Sequence, residues 1–248
     1  MPAALDVCVT LGARSRFRVG CAISTLDWWC QEAEAGHVAR VMIHDLGPPA
    51  GPFWQAAHVL GLGERLHAVG AVVHAQAREG SQRARHAWAA AWAETDPYVL
   101  TDDDLVLVPG YTVTDAGRPN PRDWTDYAAA QLLADPRLAM VVPIPTPGGL
   151  PEVAAREAAP DGHRWSVSSV GGLRVVRRGA IPSDVDALPP MDARYVGGYD
   201  STLCGWLEKH GRAVAVLVRL QAIHLGYARS TAAAVDGWRD EEDTGDAR

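Results

Sequence analysis

The chain is nearly without lysine: Lys209 is the one example in 248 residues, and the remaining positive side chains are arginines. The net charge is −7, so nothing in the bulk composition provides electrostatic attachment to a polyanion. Nucleic acid or an anionic membrane would have to be met through a local basic patch, for which Arg83, Arg85, Arg174, Arg177 and Arg178 are the candidates. Cysteine is also scarce. Cys8, Cys21, Cys30 and Cys204 form no CxxC pair and read as reduced, buried thiols of a cytoplasmic protein rather than a disulfide framework. No apolar run approaches the ~20 residues that cross a bilayer. The opening Met1-Pro2-Ala3-Ala4-Leu5-Asp6 has no basic region followed by an apolar stretch, so no secretion signal is expected. Internal repeats and heptads are absent as well.

What is present is enough apolar residue, 48% of the chain, to bury a substantial core as one large α/β domain or one domain with a small appendage. The first half alternates short apolar runs with longer helical patterns, as βαβ units and a mostly parallel sheet require. Strands are expected at Asp6–Leu11, Val38–His44, Leu66–Val73 and Tyr98–Thr101. Helices are expected at about Val19–Ala35, Phe53–Leu60 and Gly80–Glu94. The second half is less regular, with a helix at Trp124–Leu133 and a strand at Leu138–Val142. A Pro/Gly/Ala-rich loop follows at Pro143–Asp161, then short strands at Trp165–Val170 and Leu173–Arg177 around Gly171-Gly172. A helix at Asp200–His210 and a strand at Ala213–Leu220 end the pattern. Residues 231–248 read as an acidic, flexible tail.

The most telling stretch is Asp102-Asp103-Asp104, between the apolar strings Tyr98-Val99-Leu100 and Leu105-Val106-Leu107-Val108. Three adjacent carboxylates at the end of a buried strand repel one another and resist desolvation, which a divalent cation carrying phosphates would relieve. Side chains alternate along an extended chain, so Asp102 and Asp104 are expected to share a direction and Asp103 to face away and tolerate substitution best. Asp45 and Asp102 both fall at carboxyl ends of strands, where open parallel sheets bind ligands.

Four stretches, in order, resemble the family-2 inverting glycosyltransferases of GT-A fold. They are Val41-Met42-Ile43-His44-Asp45; Gly80-Ser81-Gln82-Arg83-Ala84-Arg85-His86, similar to the family's G-x-x-x-A-R-N with His86 for Asn; Leu100-Thr101-Asp102-Asp103-Asp104, similar to its DxD motif; and Gly197-Gly198-Tyr199-Asp200 followed by helix, strand and His224-Leu225-Gly226, similar to its acidic residue and terminal H-x-G. The resemblance covers most of residues 5–227. It implies a Rossmann-like, mostly parallel central sheet flanked by helices. Residues 1–230 would form one catalytic domain, with a nucleotide-binding half to about 110 and a smaller acceptor half from about 111 to 230.

It further implies a hexosyl- or pentosyltransferase using a UDP- or GDP-linked sugar with Mn²⁺ or Mg²⁺. Asp104 and His224 would ligate the metal, and the histidine favours Mn²⁺. Asp102 would contact the ribose or share the metal, Asp45 would read the nucleobase, and Arg85 and Thr10 would lie on the nucleotide side. Asp200 would be the general base for an inverting transfer; the family often has two acidic residues here, and this chain has one. The acceptor is left open among a glycan, a small molecule, a protein, a lipid-linked sugar and a modified nucleobase in DNA.

Each residue also has a plainer reading. Asp200 before a helix is a favoured N-cap, Asp45 can begin a turn, His224 can be a hydrogen-bonded structural residue, and Arg85 an exposed charge. Trp165, Trp206 and Tyr195 can line an acceptor pocket or fill a core. Gly171-Gly172 and Gly197-Gly198 can admit substrate or form tight turns. Two other functions compete: a nucleotidyltransferase using Leu11-Gly12-Ala13-Arg14-Ser15-Arg16-Phe17 as a phosphate loop, and a degenerate nucleotide-sugar-binding module.

Overall fold

A computed structural model describes residues 4–12, 15–47, 50–75, 82–108, 110, 121–146, 163–166, 172–191 and 198–225. Its first strand, β1 (Leu5–Leu11), is buried along its whole length and has parallel neighbours on both sides. That position is why LDVCVTL is nearly continuous in apolar residues. The strands β2 (Val38–Asp45) and β3 (Val72–Ala75) extend the sheet to one side of β1, and β4 (Tyr98–Asp102) lies on the other. Beyond β4 come β8 (Leu173–Val176), β6 (Leu138–Thr146), β9 (Ala213–His224) and the two-residue β5 (Leu105–Val106), giving the order β3-β2-β1-β4-β8-β6-β9-β5; β7 (His163–Ser166) also pairs with β9. Of these strands, β8, β5 and β7 run against the rest, so the sheet is mixed but mostly parallel.

Period-two alternation sends β1 side chains to two separate cores. Leu5, Val7, Val9 and Leu11 meet α1 (Arg16–Glu34), α2 (Pro52–Val59), α3 (Leu62–Ala68) and α5 (Trp124–Ala134), with Trp29 and Trp124 among them. Cys8 faces the other layer, built on α4 (Gln82–Trp92) and α6 (Gly198–Lys209). The helix α1 begins on Ser15, whose hydroxyl accepts from the Arg18 N–H at 3.3 Å, a cap of about 1 kcal/mol. Val19, Ala22, Leu26, Trp29 and Cys30 then fall on its buried stripe.

Two expectations fail here. The segment Leu66–Val73 is not one strand: Leu62–Ala68 is α3, and the strand begins only at Val72. Leu62 and Leu66, four apart, are both buried in the α1–α2 core, so helical burial outweighs the apolar run. In addition, β6 runs to Thr146 and β9 to His224, well past the expected ends, because each supplies the other's parallel partners. The rest of the Pro143–Asp161 loop, Gly171, Gly197 and the 231–248 tail lie outside the described residues. Among the described residues no helix is long and apolar enough to cross a membrane.

Candidate functional site

The order β3-β2-β1-β4 makes the gap between β1 and β4 the point where the chain reverses its direction of sheet building, and ligands of such sheets bind at that crevice. Gly12 leaves β1 and the Asp102–Asp104 triplet leaves β4 at this place. Two charge clusters, one on either side of the triplet, are built there.

In the first, the turn Asp103–Asp104 feeds β5, which pairs antiparallel with the end of β9, Leu105 opposite His224. The Leu225 N–H donates to the Asp104 carbonyl at 2.7 Å. This register brings His224 Nε2 to 2.9 Å from Asp104 Oδ2 across 120 residues. Arg18, from the first turn of α1, places its Nη1 on the same Asp104 oxygen and its Nη2 at 3.3 Å from Asp103 Oδ1. Asp103 Oδ2 accepts from the Gly12 N–H at 2.8 Å. The expectation that Asp103 faces away and tolerates change is therefore overturned. Its carboxylate is buried and ties the end of β1 to the end of β4. The turn after Asp102 breaks the alternation on which that expectation rested. Burial pushes the Asp103 carboxyl up to about 6 against the pull of Arg18. Burial also acts on Asp104, but His224 and Arg18 outweigh it and hold that carboxyl below its usual range.

The second cluster lies under β4. Arg85, on α4, bonds Asp102 through Nη1 and reaches Asp200 Oδ1 at 3.3 Å through Nη2. Arg174, on β8 opposite Leu100, is fully buried and donates to Asp200 Oδ1 at 3.2 Å. Its Nη1 donates to His86 Nε2 at 2.9 Å; a guanidinium can only donate, so the imidazole proton sits on Nδ1. Two arginines thus face two aspartates around a neutral histidine, the balance a buried ionic cluster needs. Burial would raise the Asp200 carboxyl, but Arg174 and Arg85 hold it far below the carboxylate range. Asp200 is the third residue of α6 rather than a residue ahead of it, so the helix-cap reading does not describe it.

Burial pushes the His86 imidazole down to about 3. Between pH 6.5 and 3 the unfolded chain would bind a proton that the folded one does not. Stability is then lost as pH falls through that window and is fully present above it. We expect His86→Asn to flatten the acid side of the stability curve by up to one proton, about 1.4 kcal/mol per pH unit. Urea unfolding from pH 7 to 4 checks this, and equal slopes in both proteins would refute it.

Other expected site residues are placed as follows. Thr10 lies opposite Asp102 in register, and its buried hydroxyl finds no hydrogen-bond partner among the described residues. Asp45 is buried and accepts from the Trp54 indole N–H at 2.5 Å and the Gly47 N–H at 2.8 Å, the arrangement of a residue that begins a turn. Trp206 packs on the α4–α6 core. The side chains of Trp165 and Tyr195 lie outside the described residues. Gly172 lies against the site: a Cβ there would come within 2.5 Å of Asp102 Oδ2 and 2.3 Å of Leu105 Cδ1, so those side chains would have to shift. The basic patch dissolves into internal bonds. Arg83 donates to the Val185 carbonyl and Arg177 to those of Leu132, Asp135 and Leu138; Arg178 donates to that of Glu94, while Arg85 and Arg174 serve the aspartates. Sequence reasoning missed Arg18 altogether. It named Arg174 only as surface charge, although an arginine within Leu173-Arg174-Val175-Val176 signals a buried ion needing a partner.

No family model and no curated protein matches this sequence. Solved structures do match in shape. One is the mannosyltransferase PcManGT from Pyrobaculum calidifontis in complex with GDP-Man and Mn²⁺ (TM-score 0.59, 17% identity, 90% of this chain and 57% of that one). A second is GalNAc-T7 with UDP, GalNAc and Mn²⁺ (0.58, 12%, 89% and 43%). A third is the UTP-bound UGPase of Acinetobacter baumannii (0.53, 8%, 97% and 96%). The fold is GT-A-like. The chain spans about half the length of the two glycosyltransferases and nearly the whole of the UGPase.

Proposed function

We propose that the protein is a metal-dependent glycosyltransferase that moves a hexose or pentose from a UDP- or GDP-linked donor to an acceptor hydroxyl with inversion. The carrying observation is the meeting of Asp104 and His224 beside the β1–β4 crevice. The donor set fits a divalent ion. One carboxylate oxygen and one imidazole nitrogen 2.9 Å apart suit Mn²⁺ or Mg²⁺, and diphosphate oxygens would complete the shell. Among the described residues no group of three or more His, Cys, Asp or Glu side chains is placed to hold a metal alone, so the ion would depend on the nucleotide. Bound there, it would offset charge developing on the leaving diphosphate.

In this reading Asp102 and Thr10, paired in register, would take the nucleotide side of the crevice, and Arg85, bonded to Asp102, would contact phosphate oxygens. Among the described residues the bonds of Arg85 and Arg174 to Asp200 both fall on Oδ1, and Oδ2 would take the acceptor proton as the donor's anomeric carbon is attacked from the opposite face. The acceptor class stays as wide as the sequence left it.

A second reading, a sugar nucleotidyltransferase, draws on the nearly full-length match to UGPase. It needs the N–H groups after β1 for a triphosphate, whereas the Gly12 N–H is bonded to Asp103. Isothermal titration with UDP and GDP, with and without Mn²⁺, separates the two. The transferase reading expects one diphosphate to bind at least tenfold more tightly with the metal. Pyrophosphate release from a nucleoside triphosphate and a sugar phosphate would favour the second reading, and no nucleotide binding at all would remove both.

A further inference from the structure

We propose that Arg18 is a resident counter-cation of the acidic triplet that competes with the divalent metal for Asp104, so that metal binds well only when a diphosphate draws Arg18 away. This rests on the metal-site reading above. The guanidinium bridges two adjacent carboxylates, Asp103 and Asp104, that are almost completely buried. It shares one oxygen, Asp104 Oδ2, with His224, so the oxygen that would bind metal already holds two donors. A dication on Asp104 and His224 would stand against a guanidinium at contact distance, and like charges in so buried a place repel strongly.

Arg18 can move where its partners cannot. Its side chain is 38% exposed, against 3% and 4% for Asp103 and Asp104, and it hangs from the first turn of α1 at the crevice mouth. The planar fork that now spans two carboxylates matches a diphosphate equally well. The N-terminus of α1, a 19-residue helix, adds a favourable dipole on the same side. Donor arrival would therefore do two things together: give Arg18 a better anion and open Asp104 to the metal. With two protein ligands among the described residues and a cation already in place, the metal alone binds poorly, and donor and metal enter as a coupled pair.

The test is Mn²⁺ titration of the full chain followed by the electron paramagnetic resonance signal of free Mn²⁺, in the presence and absence of UDP and GDP. Wild type is expected to bind Mn²⁺ weakly alone and at least tenfold more tightly with its nucleotide. Arg18→Gln is expected to bind Mn²⁺ alone at least tenfold more tightly than wild type, and the nucleotide's effect is expected to shrink by the same factor, leaving the part that comes from diphosphate oxygens on the metal. Arg18→Lys keeps the charge and is expected to stay within threefold of wild type; a tenfold gain there overturns the proposal even if Arg18→Gln fails to fold. Unchanged or weaker Mn²⁺ binding by folded Arg18→Gln overturns the proposal while leaving the metal site standing. No Mn²⁺ binding by any of the proteins, with either nucleotide, overturns both.

Discussion

Asp200→Asn is expected to lower kcat of sugar transfer about 10³-fold while changing donor affinity less than about threefold. The substitution suits the question because the amide oxygen of asparagine still accepts from Arg85 and Arg174, which lie 3.3 and 3.2 Å from Oδ1. The cluster keeps these hydrogen bonds and loses the charge of the proposed proton acceptor, which leaves two guanidinium groups facing Asp102 alone. The same arginines set the base's character. They hold the Asp200 carboxyl far below its usual range, so it is ionised at neutral pH. An acid limb in the rate profile near pH 4 to 5 is therefore not expected from this residue. A carboxylate so held is also a weak base. The proposed use of Arg85 by the diphosphate would strengthen it, because one of its two guanidinium partners would turn to the donor. Donor titration by calorimetry and single-turnover transfer measure the two quantities separately. Full transfer activity in the variant would remove Asp200 as the base, and lost donor binding would make it part of the nucleotide site instead.

The first half of the fold was legible because its strands are buried on both faces and separated by periodic helices: Leu5–Leu11, Val38–Asp45 and Tyr98–Asp102 were each found within a residue or two. Asp104, His224, Arg85 and Asp200 were named from the order of four stretches along the sequence, and the structure brings Asp104 to His224 and Arg85 to Asp200. What stayed hidden depends on pairing between distant strands. Nothing local in the sequence says that Leu105 will pair with His224, or that Arg174 will lie opposite Leu100 and so reach Asp200. Asp103 was misread because alternation was carried one residue past the end of the strand, into a turn where it no longer holds. The segment Leu66–Val73 was misread because a short apolar run fits a strand and one face of a buried helix equally well.

Arg174→Leu is expected to destabilise the fold by about 3–5 kcal/mol, the largest effect on stability expected from any side chain of the site. The arginine is fully buried between Asp200 and His86, and its removal leaves two aspartates facing one guanidinium. At about 2–4 °C per kcal/mol for a chain of this size, the melting temperature should fall by on the order of 10 °C. A cavity would give a similar fall by itself, so the second variant decides. Asp200→Leu in the same chain removes the uncompensated carboxylate as well as the cation. If charge imbalance is the cause, the double variant should recover at least half of the loss; if lost packing is the cause, the two losses should add. Additive losses would mean that Arg174 serves β8 and the α4–α6 core by its shape. Recovery would mean that a pair worth little to stability, or costing some, is kept for what Asp200 does when it is charged.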